Sequence, residues 1–174
     1  KRLSKHQNMP LISLVMPVFN PPLQYLELAI ESVKKQVYEN WELCIADDCS
    51  TDTKVRPFLE RVAASDSRIK FTFREKNENI SIATNSAAKI ASGEFIAFLD
   101  QDDELTPNAL AEVSLYLIEH PQCDYLYTDD DKIGEAGKRF GPQFKPDWSP
   151  ELLLSYMYFS HLIVARRSIF NDLG

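Results

Sequence analysis

The sequence predicts an α/β domain with a mostly parallel central sheet and helices on both faces. Short apolar runs alternate with segments of helical spacing through most of the 174-residue chain. The runs are almost continuously apolar, as expected of strands that are buried on both faces. Two acidic clusters also directly follow apolar runs, and ligands of such folds bind at the carboxyl ends of the strands.

The first half of the chain contains three predicted strands and two predicted helices. In order they are strand 11–19, helix 23–36, strand 41–46, a turn and helix over 47–65, and strand 69–74. The strands are rich in branched residues, which favour extended structure. The first helix carries its apolar residues on one stripe, and Pro22 suits its first turn. Pro57 starts or interrupts the second helix.

The second half is predicted to continue the alternation as far as residue 128. In order its elements are helix 81–92, strand 95–99, helix 107–120, strand 123–128, a short helix at 150–157 and strand 159–165. The first of these helices is rich in alanine and ends at Gly93. The next has Pro107 at its first position and Thr106 as its N-cap. Between 129 and 150 the pattern loosens, because three of the five glycines and three of the ten prolines lie there.

Composition limits the class of protein. With 44% hydrophobic residues the chain suits one domain with a core, which we place at 11–174 after a basic tail or linker at 1–10. The net charge of −7 argues against a nucleic-acid partner. No apolar run reaches about 18 residues, so no transmembrane segment is expected. Three cysteines without metal-ligand spacing favour free thiols and a cytoplasmic location.

Four acidic residues directly follow the predicted strand 95–99, namely Asp100, Asp102, Asp103 and Glu104. Any one of them could cap the following turn or helix. However, like charges this close repel one another unless a cation is bound, and oxygen ligands favour Mg²⁺ or Mn²⁺. An EF-hand calcium loop is disfavoured, because its sixth position requires a glycine and Leu105 stands there.

The residues around the end of the first strand suit a nucleobase. Pro17, Val18 and Phe19 offer backbone groups and an aromatic face, and the carboxylate of Asp47 could accept an imide N–H. No GxGxxG or GxxxxGK[ST] loop is present, which disfavours dinucleotide and P-loop sites. Phosphoryl transfer through an aspartate would need an acid after this strand, where the sequence reads PVFNPP. A nucleotide diphosphate held through a metal therefore remains.

Four segments together resemble the GT-A glycosyltransferases of family 2 in their order and spacing. They are LVMPVFN, WELCIADDCSTD, NENISIATNSAAKIASGEFIAFLDQDDELTP and YLYTDDDKI. The resemblance covers about residues 11–174. It implies a Rossmann-like GT-A fold, a nucleotide-diphospho-sugar donor, a divalent metal (Mn²⁺ or Mg²⁺) and inversion at the anomeric carbon. A D-x-D alone occurs often by chance, so the ordered set carries the resemblance.

The resemblance also implies which residues bind the base of the nucleotide. Pro17, Val18 and Phe19 would line the base, with Phe19 near its face. Asp47 would bond the imide of uracil or thymine. Arg74, after the third strand, is a candidate contact to the base or the diphosphate, and a surface salt bridge is the alternative.

The acids of the D-Q-D sequence take two roles in the same comparison. Asp100 would bond the ribose, and Asp102 would bind the metal that bridges the two phosphates. Asp103 and Glu104 are interpreted as caps of the following turn. Asn79 replaces a glycine that many relatives have, and asparagine tolerates left-handed backbone better than most residues.

The catalytic base of the family is expected beyond Gly174, which itself is interpreted as a helix C-cap in a longer protein. The domain would then hold the donor half of the site and lack part of the acceptor side. The acids that remain give no specific case for a base; they are Asp129, Asp130, Asp131 and Glu151, and the first three are interpreted as a solvated loop.

Three further residues have open interpretations. His161 alternates with apolar residues on a late strand, so it is either a core or rim histidine or a residue near the diphosphate or acceptor. Trp148 and Tyr156 are either core or lid aromatics or a stacking platform for an acceptor sugar.

These features favour a metal-dependent inverting glycosyltransferase of polysaccharide or glycoconjugate synthesis. It would use a UDP- or dTDP-sugar and a saccharide or lipid-linked acceptor, in the cytoplasm or at the cytoplasmic face of the membrane. The alternative is a nucleotide-diphosphate-binding module without turnover, because the base is absent. A sugar nucleotidyltransferase would need a glycine-rich loop near the first strand, which PVFNPP does not provide.

Overall fold

The computed structural model of the protein describes residues 8–134 and 136–173. Within these ranges the elements alternate along the chain as the sequence predicts. They are β1 (Ile12–Val18), α1 (Leu23–Lys34), β2 (Trp41–Asp47), α2 (Val55–Ser65), β3 (Ile69–Phe73), α3 (Asn79–Lys89), β4 (Phe95–Phe98), α4 (Ala109–Glu119), β5 (Tyr125–Tyr127), β6 (Asp130–Ile133), β7 (Arg139–Gln143), α5 (Pro150–Ser155), β8 (Ile163–Arg166) and α6 (Arg167–Leu173).

Six strands form the central sheet in the order β3-β2-β1-β4-β8-β5. The first four strands in this order are parallel to one another, with Ile12 opposite both Trp41 and Phe95. Strand β8 is antiparallel to both β4 and β5. The α/β fold class with a mostly parallel sheet is therefore confirmed. The reversal of β8 matters for the site, because the amino end of β8 lies beside the carboxyl end of β4.

The core lies on both faces of this sheet. One cluster packs β1, β2 and β4 against α1, α2 and α4, and Trp41, Tyr38 and Leu26 are among its fully buried side chains. The other face is thinner and uses small residues: Ala87 and Ala88 of α3 pack on the sheet, with Phe170 of α6 beside them. Burial on both faces explains why strands β1 and β2 are apolar almost throughout.

A polar network joins the amino ends of the central strands. Glu42 of β2 is only 5% exposed. Its carboxylate accepts hydrogen bonds from Ser13 Oγ and Lys70 Nζ, both at 2.6 Å, and from Ser92 N at 2.5 Å. Burial opposes ionisation of this group, but the hydrogen bonds from Lys70, Ser13 and Ser92 outweigh burial and lower the pKa of Glu42 to about 2. The network therefore stabilises the ionised carboxylate.

Gly93 belongs to this network and does not end a helix, because α3 ends at Lys89. A Cβ at Gly93 would lie 2.5 Å from both the carbonyl oxygen of Leu11 and the Oγ of Ser13. The glycine is thus required by the close approach of the chain to β1. The prediction that Gly93 terminates the helix was wrong by several residues.

The predicted N-cap of α4 was also wrong. The helix begins at Ala109, with Asn108 in the cap position and without a side-chain cap from Thr106. Instead Gln36, just after α1, reaches this end: its Nε2 donates to the Thr106 carbonyl oxygen at 2.8 Å, and Leu110 N donates to its Oε1 at 3.0 Å. A residue far away in sequence has taken over the capping role.

The segment from 129 to 150, for which no structure was predicted, contains the hairpin of β6 and β7. Every residue of β7 is exposed, so no apolar alternation marks it. At the other end of the chain, Met9 packs against the core and Pro10 accepts a hydrogen bond from Tyr38 Oη at 2.5 Å. Residues 1–7 of the predicted tail and Gly174 lie outside the described residues. In the described part of the chain, no helix is both long enough and apolar enough to cross a membrane.

Candidate functional site

The carboxyl ends of the parallel strands meet at one rim of the sheet and are tied together by backbone hydrogen bonds. Asp48 N donates to the Val18 carbonyl oxygen at 2.7 Å, and Arg74 N donates to that of Asp47 at 2.9 Å. Leu99 N donates to the Val15 carbonyl oxygen at 3.1 Å. The segments that carry the predicted nucleotide-binding residues therefore lie side by side, as the alternation of strands and helices requires.

The three residues predicted to line a base are arranged differently from one another. Val18 is 1% exposed and packs in the core, so only its backbone faces the rim. Pro17 is partly exposed, and the ring of Phe19 is 43% exposed. The backbone N of Phe19 donates to Gln101 Oε1 at 2.9 Å. This hydrogen bond joins the loop after β1 to the loop after β4.

Asp47 ends β2 with its side chain buried at the rim. Its two carboxylate oxygens accept from Ser50, one from Oγ at 2.5 Å and the other from N at 3.1 Å. Asn20, whose φ of 44° is left-handed, joins the loop after β1 to the loop after β2. Its N donates to Ser50 Oγ, and its Oδ1 accepts from Thr51 N at 2.8 Å. An ionised carboxylate has about four acceptor positions, so Asp47 retains capacity for another donor.

Arg74 lies in an ion-pair network. Its Nε donates to Asp48 Oδ1 at 2.7 Å, its Nη1 to Ser86 Oγ at 2.5 Å, and its Nη2 pairs with Glu78. The Arg74 side chain is only 14% exposed, and that of Asp48 only 3%. Asn79, which follows Glu78, has a φ of 70°, so its backbone is left-handed, as expected where many relatives have a glycine. Arg74 thus forms largely buried ion pairs and not the surface salt bridge of the alternative interpretation, and its contact with a nucleotide stays a prediction. An open groove of about 580 Å³ lies beside it between β3 and α3.

The acids after β4 meet a histidine from the segment that precedes β8. His161 Nδ1 lies 3.2 Å from Asp103 Oδ2, and His161 Nε2 lies 3.8 Å from Asp100 Oδ2. Ligand atoms of the three residues all lie within 4.8 Å of one another. The arrangement is possible because β8 runs antiparallel to β4, which brings His161 to the rim from the opposite direction. We call these three residues the rim cluster.

The electrostatics of the rim cluster are unfavourable for two ionised acids. Burial raises the pKa of the Asp100 carboxyl; the charge of Asp102 adds to this, and His161 acts in the opposite direction. Burial likewise raises the pKa of Asp103, against the effect of His161 and with the effect of the neighbouring acids. Asp103 Oδ2 is buried and accepts no hydrogen bond from a donor in residues 8–134 and 136–173. The cluster therefore holds an acceptor atom that is not satisfied.

The acids singled out from the sequence differ in their relation to the rim cluster. Asp102 and Glu104 are exposed beside it. The carboxylate of Asp103, interpreted as a cap from the sequence, faces His161. The acids at 129–131 belong to the hairpin region and not to a free loop. Asp129 accepts from Lys145 N at 2.8 Å, Asp130 lies 2.9 Å from Lys145 Nζ, and Asp131 lies 2.7 Å from Arg139 Nε.

The aromatic residues form a patch close to the segment that carries His161. The Trp148 ring is 63% exposed and stacks on Phe159, with ring centroids 5.9 Å apart and planes inclined by 17°. Phe159 itself is buried and touches Tyr158. Tyr156 is 53% exposed and meets Tyr158 edge-on. One face of Trp148 is therefore covered by Phe159 and the ring remains largely accessible.

Three residues of the site were missed by sequence reasoning. Asp103 was noted but given a capping role, although its position in a run of acids was a signal. Gln101, between the two acids of D-Q-D, gave no signal of its contact with the β1 loop. Lys145 gave no signal either, because nothing in FKPDW indicates a lysine whose side chain is 1% exposed.

Comparison with known proteins gives consistent results along nearly the whole chain. The family model described as glycosyl transferase family 2 matches residues 13–174. The O-antigen biosynthesis protein RfbC of Myxococcus xanthus is 40% identical over 173 residues, which are 99% of this chain and 13% of that protein. The UDP-Glc:alpha-D-GlcNAc-diphosphoundecaprenol beta-1,3-glucosyltransferase WfgD of Escherichia coli is 38% identical over 136 residues, or 76% of this chain and 52% of WfgD. The chain thus spans between an eighth and about half of these relatives.

A solved structure of a mannosyltransferase has a similar fold. The mannosyltransferase PcManGT of Pyrobaculum calidifontis, solved in complex with GDP-Man and Mn²⁺, superimposes with a TM-score of 0.73 over 97% of this chain and 48% of its own. At 16% sequence identity this likeness concerns the fold alone. It agrees with the GT-A fold that the motifs implied.

Proposed function

Because the chain belongs to glycosyl transferase family 2, we propose that it transfers a sugar from a UDP- or dTDP-sugar to an acceptor hydroxyl, with a divalent metal and with inversion. The observation that carries this proposal is the rim cluster of Asp100, Asp103 and His161, which lies on the same rim as Asp47. Nucleotide sites of α/β folds occupy this position at the ends of the strands.

The base of the nucleotide is assigned to the loops after β1 and β2. The exposed ring of Phe19 and the edge of Pro17 offer a flat surface, and Val18 contributes its backbone. Asp47 accepts the imide N–H with the acceptor capacity that Ser50 leaves. Arg74 acts here through Asp48, whose position it fixes by a 2.7 Å ion pair. The glucosyltransferase WfgD is a relative whose name specifies a UDP-sugar, which supports this class of donor.

A divalent metal fits the residues that are present. The buried, unsatisfied Asp103 Oδ2 and the raised pKa values of Asp100 and Asp103 describe a place where a cation would relieve repulsion. Carboxylate oxygens suit Mn²⁺ or Mg²⁺. We assign the metal to Asp102, which is exposed beside the rim cluster, and the ribose to Asp100, as the resemblance implies. When bound, the metal supplies positive charge that stabilises the diphosphate leaving group.

The acceptor side is assigned to the aromatic patch. The free face of Trp148 suits the apolar face of a sugar ring, and Phe159 holds the indole in place by stacking. A saccharide or lipid-linked acceptor agrees with the names of RfbC and WfgD. We propose that the reaction takes place in the cytoplasm or at the cytoplasmic face of the membrane. We assign no base, since the described acids at 129–131 already have basic or amide partners.

The proposal is tested by calorimetry with UDP and Mn²⁺. We expect the protein to bind UDP in the presence of Mn²⁺ and Asp102→Ala to bind it at least about 10-fold more weakly, because a metal ligand is lost. Asp47→Ala should weaken UDP binding with or without Mn²⁺. Glu27→Gln, on the exposed face of α1, is the matched control and should equal the parent. Absence of UDP binding, or an Asp102→Ala variant that matches the parent, would falsify the proposal.

A module that binds nucleotide without turnover is distinguished in a second assay. Release of UDP from UDP-glucose and transfer to a saccharide acceptor are measured on the same preparation. Turnover supports the enzyme, whereas tight UDP binding with neither hydrolysis nor transfer supports the binding module.

A further inference from the structure

Lys145, in the segment after the β6–β7 hairpin, carries a charge that is almost completely buried. Its side chain is 1% exposed. Burying an ammonium group is strongly unfavourable unless it is fully paired, so a lysine in such a place is unusual. The three contacts of Lys145 therefore indicate which part of the backbone this residue holds in position.

The ammonium group has three donors, and each has an acceptor. Lys145 Nζ donates to the carbonyl oxygen of Phe159 at 2.5 Å and to that of His161 at 2.6 Å. It also pairs with Asp130 Oδ2 at 2.9 Å. Two carbonyls that flank Ser160, whose φ of 45° is left-handed, thus converge on one cation. Lys145 thus holds the backbone of residues 159–161, which carries the His161 side chain.

The other side of His161 is fixed as well. Leu162 N donates to Thr128 Oγ1 at 3.0 Å, and Thr128 N donates to the Leu162 carbonyl oxygen at 3.1 Å. His161 therefore lies between two anchors, one on the hairpin side and one at the end of β5. The imidazole remains 41% exposed and is directed to Asp100 and Asp103.

We infer that His161 supplies a nitrogen ligand to the divalent metal, next to Asp103, and that Lys145 is the positioning residue that aims it; the inference rests on the proposed function. Nothing in the resemblance assigns a role of this kind to either residue. The second observation is Asp103 Oδ2, a buried oxygen without a donor although an imidazole nitrogen lies 3.2 Å away. A shared cation satisfies both atoms at once.

The ligand set has a consequence for the metal. Mg²⁺ prefers oxygen ligands in an octahedral arrangement, whereas imidazole nitrogen suits transition metals. A set of carboxylates with one imidazole therefore favours Mn²⁺ over Mg²⁺. Loss of the imidazole should therefore reduce the preference for Mn²⁺ over Mg²⁺. If His161 forms only an ion pair with the acids, its loss should leave that preference unchanged.

The first test uses the unmodified protein, so folding of a variant is not in question. The imidazole protons are followed by NMR while Mn²⁺ is added in small amounts to protein saturated with UDP. We expect the His161 signals to broaden at substoichiometric Mn²⁺. The signals of His120, which follows α4 and whose ring centroid lies 4.3 Å from that of Tyr116, should stay sharp and serve as the internal control. Bound Mn²⁺ without selective broadening of His161 overturns the inference.

The second test measures the Mn²⁺ affinity of variants by electron paramagnetic resonance in the presence of UDP. We expect His161→Gln to weaken Mn²⁺ binding at least about 10-fold and Lys145→Met by about 10-fold, typical of losing a metal ligand or its support. Lys145→Arg, which keeps charge and donors, should recover part of the loss. Lys132→Met, at an exposed lysine of β6, is the control and should match the parent.

The outcomes separate the inference from the proposed function. If the parent binds no UDP at all, the proposed function fails. If the parent binds UDP and Mn²⁺ and His161→Gln binds Mn²⁺ as tightly as the parent, only the inference fails. A Lys145→Met protein that melts earlier but keeps full Mn²⁺ affinity shows that the lysine has a structural role alone, and the positioning role is then rejected.

Discussion

The two ends of the central sheet treat buried carboxylates in opposite ways. At the amino end of β2, Glu42 is surrounded by donors from Ser13, Lys70 and Ser92, and the pKa of Glu42 is lowered to about 2. At the carboxyl end of β4, Asp100 and Asp103 have raised pKa values because burial is not compensated. Both sites use the same chemical group on the same sheet.

The difference separates a carboxylate that stabilises the fold from two carboxylates whose burial is not compensated. A carboxylate whose acceptor positions are filled by its own protein contributes to folding. A carboxylate with a buried, unsatisfied oxygen lowers the stability of the protein without ligand and leaves that oxygen available to a ligand.

The largest effect is expected from Glu42→Gln. The substitution removes the charge that Lys70 and Ser92 stabilise, and we expect it to lower the free energy of unfolding at pH 7 by roughly 3 kcal/mol. Urea denaturation measures the loss. Glu27→Gln, on the surface of α1, should change stability by less than about 0.5 kcal/mol. Equal stability of the two variants would mean that the network is not a stabilising feature.

The same residue gives a pH dependence with a definite sign. Because the pKa of Glu42 is depressed on folding, from 4.5 to about 2, its contribution is present in full above pH 4.5. It is lost as the pH falls from 4.5 towards 2. Over this window the parent should lose stability more steeply than Glu42→Gln.

A somewhat smaller effect is expected from ligands at the other end. Addition of UDP and Mn²⁺ at about 100 times the dissociation constant should stabilise the fold by about 2.7 kcal/mol. For a domain of this size, that is a rise in melting temperature of roughly 5 to 10 °C. Differential scanning calorimetry provides the measurement. Asp100→Asn should reduce the rise in melting temperature. Glu42→Gln should have a lower melting temperature without ligand and show the same rise as the parent.

A smaller effect of opposite sign is expected from Asp103→Asn without metal. The substitution removes a charge disfavoured by burial, so the empty protein should become more stable, by up to about 1 kcal/mol because the side chain is 39% exposed and screened by solvent. In the parent, the raised pKa of Asp103 means that stability falls as the pH rises through that pKa, the reverse of Glu42. Destabilisation by Asp103→Asn in metal-free buffer would contradict the comparison.

The smallest stability effect is expected from Trp148→Ala. The ring is 63% exposed, so the melting temperature should change by no more than about 2 °C. The KM for a saccharide acceptor should nevertheless rise several-fold, while UDP affinity stays at the parent value. Tyr116→Ala, an exposed aromatic on α4, is the control and should leave the KM for the acceptor unchanged.

How far the sequence could predict this molecule differed between the two halves of the chain. Strands β1 to β4 were placed within one or two residues, because burial on both faces leaves long apolar runs that few other structures produce. The hairpin β6–β7 was not predicted, since β7 is exposed throughout and contains Gly141 and Pro142. Its hydrogen bonds come from pairing with β6, which a local pattern does not reveal.

The candidate site was predicted on one side only. The positions of Asp100 and Asp47 at the rim were predicted, because acids directly after buried strands are conspicuous, and their contacts with a nucleotide stay predictions. The partnership of Asp103 with His161 depends on the direction of β8, and periodicity does not encode whether a strand is parallel or antiparallel. Lys145 was unpredictable in principle, since its three acceptors come from two carbonyls and a side chain that only the tertiary fold assembles.

The direction of β8 also sets how far a ligand's influence extends along the chain. Asp103 and His161 are separated by α4, β5, the β6–β7 hairpin and α5, so a cation held by both would close this whole segment into a loop. Closing a loop removes open conformations from the ensemble, with a cost that depends only weakly on its length. Amide protons in α4 and in the hairpin should therefore exchange with deuterium more slowly when UDP and Mn²⁺ are bound, although neither element need touch the ligand.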